Sequence, residues 1–264
     1  MNILGIRALE DNYIWIIEHQ HQAWVVDPGE SEPVLRWLKQ HHCILAGILI
    51  THHHYDHTNG VEDLLSHYPA IPVYASYLTD KPYITQRLKQ GDQITIADSV
   101  FQVLETPGHT LDHLSFYNDQ ALFCGDTLFT AGCGRVFEGT AQQMADSLLK
   151  LRTLDDNLLV YCGHEYSLTN INFARIAEPD NQAIEQRHQQ IKQKYQQHQA
   201  CVPSFLGEEK QTNPFLRFDQ KPLSSNISDH HKQRHSLSQY FDFFAALRAW
   251  KDELDRTGEL DERI

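Results

Sequence analysis

"CILAGILITHHHYDHTNG", residues 43–60, joins an apolar run to a crowd of imidazoles. The run from Cys43 to Ile50 reads as a buried strand, and the chain then presents four histidines and an aspartate between His52 and His57. Imidazoles gain little from burial unless something partners them. If the backbone stays extended past Ile50, side chains alternate, so His52 and His54 point one way and His53 the other. His53 is therefore not expected among the ligands. Asp56 and His57 follow where Asn59-Gly60 marks a turn into the helix-like "VEDLLSHY". Neutral imidazole with carboxylate is a donor set suited to zinc, iron or manganese.

Three further segments repeat this design. "VLETPGHT" places His109 after a strand, with Gly108 allowing close backbone approach to a ligand. "ALFCGDTLF" places Asp126 and "LLVYCGHEY" places His164 in the same way. Strand exits let residues distant in sequence meet at one sheet edge. With His52, His54, Asp56 and His57 they make seven donors, too many for one tetrahedral ion and suited to two.

Around these motifs the chain divides by texture. Up to about Tyr166, strands are expected at "NYIWIIE", "AWVVDPG", "IPVYAS", "QITIAD", "FQVLET", "HLSFYN" and "ALFCGD", the last two joined by a hairpin about Asn118-Asp119. "SEPVLRWLKQHH" reads as a helix capped by Ser31. Beyond Tyr166, "NQAIEQRHQQIKQKYQQHQ" and "SQYFDFFAALRAWKDELDR" read as helices, the second with a stripe of Phe243, Leu247, Trp250 and Leu254. "SSNISDHHKQRHS" reads as a loop in which His230, His231 and His235 are solvated bystanders. The expected division is residues 1–166 and a smaller helical region, 167–264.

Composition excludes several classes. At 264 residues and a net charge of -13, the chain has room for a large core, and an acidic surface opposes nucleic acid or anionic membrane as a partner. No apolar run is long enough to span a bilayer, and "MNILGIRALEDNYIWII" lacks a signal-peptide pattern, so a cytoplasmic location is expected. Five widely spaced cysteines without a CxxC pair argue against a disulfide framework.

"THHHYDH" with His109, Asp126 and His164 resembles the metallo-β-lactamase superfamily. More closely the chain resembles the glyoxalase II family of hydroxyacylglutathione hydrolases, adding "AGCGRVFEGT", "YCGHEYSLTNINFARIAEPDN", "NPFLR" and "RAWKDELD" to the metal motif. The resemblance implies an α+β fold, an αββα sandwich followed by a helical domain. It implies two divalent ions, with zinc preferred to iron or manganese. His52, His54 and His109 would hold one, Asp56, His57 and His164 the other, with Asp126 bridging and Asp56 also orienting the attacking hydroxide. It places Tyr166, Arg135 and Phe137 beside the glutathione portion of a small-molecule thioester, and Arg248 and Lys251 on its glycine carboxylate. Some relatives carry Lys and Tyr where this chain has Arg135 and Phe137, so a hydroxyl is missing here. The expected reaction is hydroxide attack on S-(2-hydroxyacyl)glutathione, typified by S-D-lactoylglutathione giving D-lactate and glutathione, in a monomer.

Competing readings stay open. Charge supports the binuclear site, because two divalent ions against Asp56, Asp126 and a hydroxide leave one positive charge for a carbonyl oxygen or carboxylate. A mononuclear-iron persulfide dioxygenase of the same sandwich, a lactone or nucleic-acid hydrolase, and a non-catalytic metal module are the alternatives. Phe137 and Cys162 are candidates for simple packing, and His113 for either packing or support of a ligand. Cys124 is expected to pack and Cys133 to shape its loop. The alternative for Arg248 and Lys251, which on a helix share a face at spacing three, is an ordinary solvated pair balancing Asp252, Glu253 and Asp255.

Overall fold

The computed structural model describes residues 1–230 and 237–260; His231 and His235 lie outside them. The first sheet contains β1 (Asn2–Ala8), β2 (Asn12–His19), β3 (Gln22–Val26), β4 (Ile44–Leu49), β5 (Val73–Ser76) and β6 (Gln86–Leu88), in that spatial order. Helices α1 (Glu32–His41), α2 (Tyr55–Thr58) and α3 (Val61–His67) interrupt it. The second sheet contains β7 (Gln93–Ile96), β8 (Ser99–Glu105), β9 (Leu114–Tyr117) and β10 (Ala121–Gly125), then β13 (Leu159–Cys162) and β14 (Ser204–Phe205), with a small ribbon of β11 (Leu128–Phe129) and β12 (Gly132–Cys133) between. Its helices are α4 (Ala141–Arg152), α5 (Ser167–Ala177), α6 (Gln182–Gln196), α7 (Leu206–Thr212), α8 (Leu223–His230) and α9 (Tyr240–Thr257).

The alternation of β2 explains the layering. Tyr13, Trp15 and Ile17 enter a core shared with Phe101, Val103, Phe116 and Phe123 of the second sheet, while Ile14 and Ile16 face Val34, Leu38, Val61 and Leu64 of α1 and α3. The second sheet is covered by α4 and α9, which pack on each other. The result is an α+β sandwich of helix, sheet, sheet and helix, with a helical segment continuing from it. That segment is not wholly helical, because β14 extends the second sheet beside β13.

Several local expectations change. The turn after β9 is a hairpin as expected, closed by Asn118 Oδ1 accepting from the amides of Gln120 and Ala121. Ser31 stands at the N-cap of α1, yet its hydroxyl donates to Asp63 at 2.5 Å and caps nothing. The expected loop at 224–236 begins as helix α8, and His230, exposed as expected, is more than a bystander because its ring stacks on Trp250 at 3.9 Å. In α9 the buried face is Phe244, Ala246, Leu247, Arg248 and Lys251, with Phe243, Trp250 and Leu254 only partly covered. The face is rotated toward the two cations.

Candidate metal centre

Parallel strands deliver the site. β3 pairs with β4 and β10 with β13 in parallel, so the segments after them gather at the sheet edge. There the Tyr13 amide donates to the Gly163 carbonyl at 2.8 Å and stitches the two sheets together. His54 precedes α2, whose first turn supplies Asp56 and whose last supplies His57.

The seven expected donors converge. His52, His54 and His109 form one group and Asp56, His57 and His164 another, each with candidate ligand atoms within 4.8 Å of one another. His54 Nδ1 is 3.0 Å from His109 Nε2, and His57 Nε2 is 3.3 Å from His164 Nε2. Asp56 Oδ2 lies 3.5 and 3.4 Å from those two nitrogens of His57 and His164. Asp126 stands between the groups, with Oδ1 at 3.4 Å from His57 and Oδ2 at 3.3 and 3.4 Å from His164 and His109. An edge of a tetrahedron with metal–nitrogen bonds of about 2.05 Å is about 3.3 Å, so these separations suit first-row divalent ions. Buried His52 Nε2 and Asp126 Oδ1 have no hydrogen-bond partner, as expected of atoms that face a cation. The residues fit the group that the donor set implies.

Outer contacts orient the rings. His57 Nδ1 donates to Asp27 at 3.1 Å, His109 Nδ1 to the Arg135 carbonyl at 2.8 Å and His164 Nδ1 to Asp11 at 2.7 Å. His52 Nδ1 meets the Thr51 hydroxyl at 3.0 Å. Each of these contacts leaves Nε2 as the inward lone pair. Asn12 donates to the Asp56 carbonyl and to Oδ2, at 3.2 and 3.1 Å. Sequence reasoning missed Asp11, Asn12 and Asp27. The strand-exit rule that found His109 applies to Asp27 in "AWVVDPG"; Asp11 and Asn12 sit at a strand's start and carry no such signal. Gly163 permits the close approach of strand to carboxylate, since a Cβ there would lie 2.3 Å from Asp126 Oδ1. Gly108, at φ +151°, serves a different neighbour from the expected ligand: its Cβ would strike Met144 of α4 at 2.7 Å.

The field of the site favours cations. Burial opposes charge on Asp126, yet His164 and His57 hold its carboxyl well below the usual range, and the same pair with Asn12 depresses Asp56 against its own burial. Burial likewise opposes charge on His57 and His164, but Asp126, Asp27 and Asp11 push both upward. His113 is pushed down to about 3 by burial and by His109. Its Nε2 accepts the Asp126 amide at 3.1 Å and its ring stacks on His52, so it is both core and support. Cys124, Cys133 and Cys162 are buried, and Cys162 packs with its thiol on the His164 carbonyl.

A cleft of about 390 Å³ runs from Asp126 and His109 to Arg135, Arg248 and Lys251. Tyr166 lies flat on the His164 ring, centroids 4.9 Å apart, and forms one wall. Phe137 does not pack away; it is 63% exposed and stands edge-on to His54 and His109. Arg248 and Lys251 are not a solvated pair, being 6% and 5% exposed. They are balanced internally, Arg248 by Asp252 at 2.8 Å and Lys251 by both oxygens of Asp255 at 2.9 Å. Arg135 reaches the same two acids at 3.7 and 3.9 Å.

Comparison with known proteins places this geometry. Residues 8–164 match the metallo-beta-lactamase superfamily and 165–254 match the hydroxyacylglutathione hydrolase C-terminus. A hydroxyacylglutathione hydrolase of Hydrogenovibrio crunogenus is 47% identical over 99% of this chain and 98% of its own length, and one of Nitrosomonas eutropha 45% identical over 96% and 98%. Among solved structures, ETHE1 from Myxococcus xanthus superposes with a TM-score of 0.65 at 28% identity, covering 95% of this chain and 98% of that one. With both halves of the chain matched and near-complete relatives well above 30% identity, the chain belongs to the hydroxyacylglutathione hydrolase family of the metallo-β-lactamase superfamily.

Proposed function

We propose that this chain hydrolyses the thioester of S-(2-hydroxyacyl)glutathione, typically S-D-lactoylglutathione to D-lactate and glutathione, the reaction that completes methylglyoxal removal. The observation that carries this reading is the position of Asp126. It joins two three-donor groups and opens onto a cleft that ends in three cations. Two divalent ions, zinc in this reading, would polarise the thioester carbonyl and supply hydroxide at neutral pH.

The chain's own residues do the rest. His52, His54 and His109 would hold one cation and Asp56, His57 and His164 the other, with Asp126 between the two groups. Asn12 fixes the carboxylate of Asp56, whose second task is to orient the nucleophile. Arg135, Arg248 and Lys251 take the glycine carboxylate, so the scissile bond lies at the far end of the cleft from its anchor. Phe129, Phe137 and Tyr166 wall the cleft and limit water. A thiolate leaves with little proton assistance, which is consistent with a site without a dedicated acid. In this reading residues 1–166 supply the metal ligands together with Arg135, Phe137 and Tyr166 of the cleft, and residues 167–264 supply the carboxylate clamp of Arg248 and Lys251, in a cytoplasmic monomer. Among the described residues no helix is long and apolar enough to cross a membrane.

The test is metal analysis with initial rates on a panel of glutathione thioesters. Two ions per chain and rates that depend on the glutathione moiety are expected. One iron per chain with oxygen uptake on glutathione persulfide would replace this reading with a persulfide dioxygenase.

A further inference from the structure

His53 stands inside the metal motif yet faces away from the seven donors. Its ring bridges two carboxylates, Nδ1 at 2.9 Å from Asp112 and Nε2 at 3.1 Å from Glu138. Asp112 is itself fixed, accepting the hydroxyls of Thr110 at 2.7 Å and Thr79 at 2.6 Å. Glu138 uses its second oxygen to accept the Leu111 amide at 3.0 Å.

Glu138 belongs to the segment that carries Arg135 and Phe137, and backbone bonds already lay that segment along the loop of His109. The amides of Phe137 and Glu138 donate to the His109 carbonyl at 3.2 and 3.3 Å, and Gly139 donates to Gly108 at 3.1 Å. These bonds bind loop to loop. His53 adds a tie from the 52–57 turn, so that the wall residue Phe137 is held at a set height over His54 and His109.

We propose that His53 and Glu138 form a latch that positions the 135–139 segment over the metal centre, making His53 a positioning residue for substrate binding and not a ligand. A surface contact that is about one-third exposed is weak as a source of global stability. Its value lies in geometry, because a cleft wall displaced by an ångström misplaces the substrate. The latch deepens the proposed thioesterase reading and rests on it for its kinetic consequence, but its structural content is testable alone.

The experiment compares the metal-loaded wild type with His53→Ala, Glu138→Ala and the double variant. Glu138 is exposed, so its truncation leaves the fold intact even if the His53 variant folds poorly. All three variants should keep the full metal content. Amide exchange at Phe137 and Glu138 should quicken by about fivefold in each, the scale of one lost hydrogen bond, and by no more in the double variant. KM for S-lactoylglutathione should rise by a similar factor, and by more than kcat changes. Loss of an ion in the His53 variant would overturn the proposal by making His53 a ligand, with His54 and Glu138 as its neighbours. Additive effects, or unchanged exchange at 135–139, would also overturn it. If the wild type hydrolyses no glutathione thioester, the functional reading fails while the exchange data still decide the latch.

Discussion

The two ends of the cleft solve opposite electrostatic problems. At the metal end, Asp126 and His52 are nearly sealed from solvent and each retains a ring nitrogen or oxygen without a hydrogen-bond partner in the protein, as suits atoms that would face a cation. At the far end, three cations already have two carboxylates, Asp252 and Asp255, and one positive charge is left over. The first end presents donors that call for added positive charge; the second is balanced within the protein and must exchange or share partners when a substrate arrives. Substitutions at the metal end should therefore be severe and those at the clamp graded.

Asp126→Ala is the strongest break. Removing the carboxylate that faces both groups should abolish binuclear loading and lower hydrolysis by about a thousandfold or more, since in the proposed reading the cations would supply both nucleophile and electrophile. Metal per chain and turnover measure this directly, and full activity with two ions would remove the bridging role. Asp11→Ala should be milder. Its side chain is 35% exposed and only orients His164, so metal affinity should fall by about 10–100-fold without loss of fold. Competition with a chelator reads that shift, and an unchanged affinity would mean that His164 holds its orientation unaided.

The same contrast explains what could be read from sequence. The donors at the metal end follow a local grammar, strand then polar residue, that survives without knowledge of which strands neighbour one another. Asp27 obeyed it but looked like ordinary turn chemistry in Asp27-Pro28-Gly29, and its left-handed φ of 53° appears only in the fold. Asp11 and Asn12 acquire roles only because β2 starts where β13 ends, a long-range pairing with no local trace. The α+β sandwich followed by helices was legible, while the short strand β14 was hidden in polar "PSF", where two residues pair with Leu159 and Val160. Helix α8 was masked by its Ser- and His-rich composition, which tertiary contact with Trp250 overrides. Spacing placed Arg248 and Lys251 on one face of α9 but said nothing of their burial.

That burial sharpens the clamp prediction. Replacing Arg248 and Lys251 together with Ala should raise KM for S-lactoylglutathione by about tenfold, near the lower end for lost charge-assisted hydrogen bonds, because the wild-type cations must partly give up Asp252 and Asp255. A short thioester without the glycine carboxylate should suffer far less. Raised salt should narrow the difference, as part of the attraction is screened. Equal losses on both substrates, in a folded and fully metallated double variant, would show that the pair supports packing and does not read glutathione.

Tyr166→Phe should have the smallest effect, and it probes the wall between the two ends. The ring lies within 5° of parallel to His164 and edge-on to Phe129, contacts that phenylalanine keeps, so metal content should not change. What is lost is the hydroxyl. Burial, reinforced by Asp11 and Asp126 and opposed by His164, pushes its pKa up to about 12, so the group remains a neutral donor throughout the range in which the protein would be assayed. If it donates one hydrogen bond to the glutathione backbone, kcat/KM should fall by about fivefold, corresponding to about 1 kcal/mol. Because the hydroxyl keeps its proton below about pH 11, the variant should retain the wild-type alkaline limb up to that pH, shifted only in height. A limb that disappears in the variant would make Tyr166 a titrating participant, tie it to the metal end, and break the division between a cation-demanding end and a self-balanced one.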